Sequence, residues 1–333
     1  MKEEAALALL GGPAGGHRYT SLLLMLCLFV FASAGLACAP DDQEDDLADA
    51  SKVSNLYELQ AMNEDLSGNY ILVNDIDASQ TKQWNDGAGF APIGELKDPF
   101  TGTLDGQGYE IAGLYIDRPT EYGVGLFGYV GEGGQVRNVG LTGVNVTSDS
   151  SVGGLAGSNF GLVTRCSTTG GVVSAWRSGG GLVGSNRGTV SESYSTSDAF
   201  AGNERAGGLV GSNRGTISDS YARGRVGSTG SAGGLAGRNY DGTVVNSYAM
   251  GKVFSNGASG GLVGHHEGTV TSSFWDVDTS GQATSVGGVG KSTAEMRTKS
   301  TFVEAGWDFD NVWDISDIND GYPFLRWQVK NRE

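Results

Sequence analysis

Asp75, Asp77 and Asp105 are the carboxylates that could converge on neighbouring strands near the start of the fold. A set of this kind could cleave or epimerise a polysaccharide, if one acid were kept protonated beside a second charged group. No carboxylate recurs in register further along the chain, so Asx turns and caps are the expected role of all three. Nucleophilic catalysis lacks its base. The only histidines are His17, in the apolar N-terminal region, and the adjacent pair His265 and His266. There is no H-E-x-x-H, and no catalytic, metal or cofactor site is expected. Asp308–Asn311 and Asp317–Gly321 are rich in oxygen ligands for calcium, but neither has the Gly and Glu positions of an EF-hand loop.

A different set of residues could bind rather than react. Four short segments differ among otherwise similar lines: VSAWRS from Val173, FAGNERA from Phe200, GSTGSA from Gly227 and FSNGAS from Phe254. Trp176, Phe200 and Phe254, beside Arg177, Asn203, Arg205 and Asn256, could stack on sugars or grip a protein surface, or fold down on a neighbouring repeat.

The element that carries them is a repeat. The lines GGLAGSNFGLV from Gly153, GGLVGSNRGTV from Gly180, GGLVGSNRGTI from Gly207, GGLAGRNYDGTVV from Gly233 and GGLVGHHEGTV from Gly260 follow one another, after a weaker copy near Val124. Leu126, Leu155, Leu182, Leu209, Leu235 and Leu262 are spaced by 29, 27, 27, 26 and 27 residues. No helical periodicity runs through a copy, and Gly interrupts it every few residues, so each copy is a set of short strands that must stack on its neighbours. Stacking predicts interior columns: the leucines from Leu155, then Val163/Val190/Ile217/Val245/Val270, then Val172/Ala199/Val226/Val253. It also predicts a column of small side chains (Cys166, Ser193, Ser220, Ser247, Ser273) and an amide ladder (Asn159, Asn186, Asn213, Asn239). Cys166 stands alone in the folded body and is expected to pack, not react. Asn55 with Glu58 reads as the start of a capping helix, and Ser292-x-x-Glu295 as a second capping box. Trp307, Trp313, Phe324 and Trp327 are expected to seal the last coil.

The chain has 333 residues, 56 of them Gly, and a net charge of −16. Six acids fall in residues 41–50, whereas residues 121–290 carry eleven acids against ten bases. With no basic stripe, nucleic-acid binding is not expected. Arg18 precedes the apolar run Leu22–Ala34, and the acidic segment follows Cys38. This order reads as an export signal. Leu36-Ala37-Cys38 resembles the lipobox of bacterial lipoproteins, although Gly35 replaces the usual Leu. Lipidation at Cys38, cleavage after Ala34 and an uncleaved anchor all remain open, and each places the body outside the cytoplasm.

The lines G-G-L-[AV]-G-x-N-x-G-x-[VI] resemble the GLUG-motif repeats of bacterial and archaeal surface proteins. The resemblance covers residues 121–275. It extends to Phe100–Asp117 and to SFWDVDTSGQ, AGWDFDNVWDI and DGYPFLRW on either side. It implies an all-β, right-handed parallel β-helix with small caps, and no particular chemistry. The expected organisation is a signal (1–37), an acidic linker (38–52), an N-terminal cap and first coils (53–120), the array (121–275) and a C-terminal cap (276–333). The expected role is a non-catalytic surface adhesion or structural module for a glycan or protein ligand, held to the membrane through Cys38. A polysaccharide-modifying enzyme is the alternative.

Overall fold

The computed structural model describes residues 47–330; the apolar run and Cys38 lie outside them. Each repeat folds into one coil of a parallel β-solenoid. The coil that begins at Leu182 contributes Val183–Asn186, Thr189–Ser191, Tyr194–Ser195, Asp198–Ala201 and Arg205–Gly207. Every one of these strands pairs in parallel with its counterparts in adjacent coils. One face is a sheet of nine strands from Ser51–Val53 to Thr269–Thr271, and a second has six from Phe127–Val130 to Val263–His266. Short strands with Gly between them suit this arrangement because a 26- or 27-residue unit has no core until a neighbour covers it.

Leu155, Leu182, Leu209, Leu235 and Leu262 are fully buried and fill the tube. Two of the expected columns are corrected by one residue. Val244, not Val245, continues the column Val163–Val190–Ile217–Val270. Thr243-Val244-Val245 offers two valines, but side chains alternate along a strand and only one can point inward; Val245 stands opposite Ser218. Val173, not Val172, pairs with Ala199, which leads on to Val226 and Val253. Here the coil absorbs one extra residue at Gly170-Gly171, both with positive φ, which a Cβ would strain. Val172 is turned outward as a result.

The corners are hydrogen-bonded along the axis. Asn159, Asn186 and Asn213 each donate from Nδ2 to the Oδ1 of the next Asn, at 2.8 to 2.9 Å, as far as Asn239. His266 ends the run, its Nδ1 3.2 Å from Asn239 Nδ2 and 3.3 Å from the Gly268 amide. Both neighbours are donors, so Nδ1 accepts and the ring proton sits on Nε2. At the next corner the backbone N–H of Cys166, Ser193, Ser220 and Ser247 donates to the hydroxyl one coil on. Each serine hydroxyl in turn donates to the carbonyl two residues back. Cys166 imitates this with its thiol, 3.3 Å from the Thr164 carbonyl. Buried corner amides that a sheet ladder cannot reach are thereby satisfied.

The first coil is covered by the helix Leu56–Ala61 and the turn Met62–Glu64. Asn55 caps the amides of Tyr57 and Glu58, Glu58 reaches back to Ser54, and Leu59 and Met62 are buried in the main core. At the far end Ser292 and Glu295 form the capping box. Trp275 and the segment around Gln282 to Gly288 lie against Gly261, Leu262 and Val270 of the last coil. Of the later aromatics, Trp307 meets the last coil, donating to the Ser272 carbonyl and packing on Phe274, whereas Trp313 and Trp327 go elsewhere. Residues 299–330 run back along the flank as a strap over an outward tyrosine stack, Tyr194–Tyr221–Tyr248, whose rings are 4.9 and 5.0 Å apart. Trp313 packs on Tyr221 and Tyr248, and Trp327 on Tyr194.

Candidate ligand-binding faces

The variable segments project as a flattened flap beside the main tube. In one coil Asp198–Ala201 runs out and Arg205–Gly207 returns, and between such strands a small second core of Ala201, Ala206, Val226, Ala232 and Val253 is buried. The inward alanines fix the outward residues. Phe200 alternates with Ala199 and Ala201, and Arg205 precedes Ala206, so the two point from opposite faces of the flap.

Phe200 and Phe254 share one face. They are two coils apart with Gly227 between them in register, and their centroids are 6.0 Å apart. A Cβ at Gly227 would stand 2.4 Å from the Phe254 ring, so the rings lie down over that glycine. Arg225 sits 5.8 Å from the Phe254 centroid. Trp176 likewise lies against Gly202 of the following coil and still exposes 56% of its surface; Phe254 exposes 41%. These aromatics are supported from beneath and open above. Arg177 faces Asp149 at 3.4 Å and the Tyr122 ring at 5.9 Å. Asn203 and Asn256 are exposed at the tips. Arg205 leaves this group: it pairs with Glu204 at 2.8 Å and faces Tyr240 across 5.4 Å.

The acidic candidates are occupied by structural work. Asp105 is buried, pairs with Arg137 Nε at 2.8 Å, and accepts from Asn138 Nδ2 and the Gln107 amide. Asp75 accepts from the Glu110 amide and Asp77 from the Ser79 amide; the Ser79 hydroxyl first, and then its amide, hold the Asp77 carboxyl below its usual range. Asp308 caps Asp310 and Asn311, with its pKa lowered mainly by the Asn311 side chain. Asp320 pairs with Arg223, which also contacts Asn319. His265 stands in register with Arg238 on the outer column.

Two features are absent from the reading of the sequence. An open cleft of about 600 Å³ lies beside the capping helix, with Tyr57 and Trp84 rings 5.4 Å apart on its wall. Its amides Gln60 and Asn63 already bind the backbone of Ala91, Pro92 and Gly94. The second is an outward column of arginines and aromatic rings beside the Asn ladder, whose signal is the residue that follows each ladder Asn.

Comparison with known proteins agrees with this geometry. The family model described as the GLUG motif matches residues 202–227. Halomucin of Haloquadratum walsbyi is 41% identical over 121 residues, 33% of this chain and 1% of that protein. A provisionally named Gly-rich membrane protein of Evansella cellulosilytica is 40% identical over 99 residues, 29% of this chain and 11% of its own length. The chain thus spans a small part of the curated relatives it matches. A crystal structure of a provisionally named immunoglobulin A1 protease from Bacteroides ovatus superposes with a TM-score of 0.65 at 20% identity, covering 84% of this chain and 92% of that one. At that identity the likeness concerns the fold. Residues 202–227 match the GLUG motif, and the line they belong to recurs in five copies in register along one axis, folded as a parallel β-helix.

Proposed function

We infer that the chain is an exported, non-catalytic surface module for adhesion or support, held to the membrane through Cys38. Its recognition surface is the flap, and its ligand is a glycan or a surface protein. The observation that carries this reading is the set of half-open aromatics, Trp176 over Gly202 and Phe200 with Phe254 over Gly227, on a backbone that every coil holds rigidly. Aromatic faces fixed in place bind sugar rings and protein side chains at little entropic cost. Trp176→Ala with Phe200→Ala should lower retention on a glycan and surface-protein panel, each truncation costing on the order of 2 kcal/mol at a hot spot, with the circular-dichroism spectrum and melting temperature unchanged. Cys38→Ser should abolish fatty-acid labelling and release the protein from the membrane fraction. A polysaccharide-cleaving activity of the wild type that Asp105→Asn removes would overturn the non-catalytic reading.

A further inference from the structure

Directly after each rung of the amide ladder stands an outward side chain, and on five successive coils these are Phe160, Arg187, Arg214, Tyr240 and Glu267. Arg187 lies 5.4 Å from the Phe160 centroid, and Arg214 and Arg238 each lie 3.9 Å from the Tyr240 centroid. Arg238 is neutralised by Glu267 at 2.9 Å. Arg187 and Arg214 are exposed, and among the described residues neither forms an ion pair. Their backbones stand on adjacent rungs, about 4.8 Å apart along the axis, and the two guanidiniums lean apart, Arg187 toward Phe160 of the preceding coil and Arg214 toward Tyr240 of the following one. A chain with 38 acids against 22 bases does not lack carboxylates to set beside them. The guanidiniums lie over the rings, and among the described residues neither donates a side-chain hydrogen bond, so their forked donors are available for bidentate capture of a carboxylate.

We propose that this column binds a linear carboxylated polysaccharide laid along the solenoid axis, with successive carboxylates on Arg187 and Arg214. Two guanidiniums carried by adjacent coils suit a polymer with one charge per sugar, and the rings of Phe160 and Tyr240 lie at the two ends of the pair. Duplex DNA carries a charge every 1.7 Å or so, far denser than two arginines can match, so its unpaired phosphates would be pressed on the exposed acids Glu132 and Asp241 beside the column and Glu267 at its end more strongly than a polymer with one charge per sugar. An acidic peptide has no fixed spacing and must be ordered on binding.

The test uses the full chain with polygalacturonate, and with its fully methyl-esterified form as an uncharged polymer of the same backbone. The wild type should bind the acid and not the ester. Arg187→Ala with Arg214→Ala should weaken binding about tenfold or more, and the double Lys variant should fall between, since it keeps charge but loses the planar fork. Arg165→Ala, at the other corner, should change nothing. If the Ala pair shifts the melting temperature, Arg187→Gln with Arg214→Gln serves in its place. Equal binding by wild type and double variant, equal binding of acid and ester, or equal binding of polyglutamate or single-stranded DNA would each overturn the proposal. Trp176→Ala with Phe200→Ala should leave polygalacturonate binding intact, so failure of the flap reading and failure of this one are distinguishable.

Discussion

Cys166 shows how one side chain serves a column. Its thiol is fully buried, and desolvation raises its pKa to about 12, so it stays protonated and unreactive at neutral pH. Thiol reagents at about pH 8 should label it only after denaturation, a rate measurable by mass spectrometry. Because serine fills the equivalent position in the next four coils, Cys166→Ser should cost less than about 1 kcal/mol in denaturant melts. Ser220→Ala should cost about 1–3 kcal/mol, since it leaves the Ser193 amide without an acceptor. The column was legible in the sequence because its members recur 26 or 27 residues apart. The shift from Val172 to Val173 was not, because a spacing of 27 cannot reveal that Gly170-Gly171 has taken up a residue.

At the scale of the element, strands and caps make different claims on stability. Leu209 is enclosed by its own coil and the leucines above and below, so Leu209→Ala should cost about 2–5 kcal/mol, whereas Arg205→Ala, on the flap surface, should cost little; chemical denaturation of both variants checks the order. The capping box adds a pH dependence. Glu295 has its pKa lowered to about 2, chiefly by the Ser292 amide and hydroxyl and then by Lys291. A carboxyl depressed in the folded state stabilises above its unfolded pKa of 4.5 and loses that contribution as the pH falls toward 2. Acid should therefore loosen the helix Thr293–Met296, and Glu295→Gln should flatten the decline of its amide-exchange protection over that window. The Asn55 cap and the Ser292–Glu295 capping box were both legible as short motifs, though Glu58 closes on Ser54 and not on the Asn55 amide. The flap was not, because its second core consists of alanines and valines that carry no pattern distinct from the main tube.

For the whole molecule, the strap changes how the coils depend on one another. In a plain solenoid each coil touches only its neighbours, and stability adds up along the axis. Here Trp327 Nε1 donates to the Glu192 carbonyl, Gln328 meets the Tyr221 hydroxyl, and the Pro323 carbonyl accepts from Tyr248, so one segment joins three coils. Trp313→Ala, at a fully buried position among these rings, should cost about 3–5 kcal/mol and broaden the thermal transition into separable steps, visible by calorimetry. The sequence exposed the aromatics of this segment but not their destination: tyrosines at alternate positions of a short strand look the same whether they face solvent or a later segment.

The strap also imposes an order of events. Its bonds join residues as much as 135 positions apart, so they close after the coils beneath them have stacked. A chain emerging from its N-terminus completes the interior of every coil while the rings of Tyr194, Tyr221 and Tyr248 are still bare on one side. Until residues 299–330 arrive, the nascent array carries an adhesive aromatic stripe, and this later segment is the one that renders it inert toward other copies of itself.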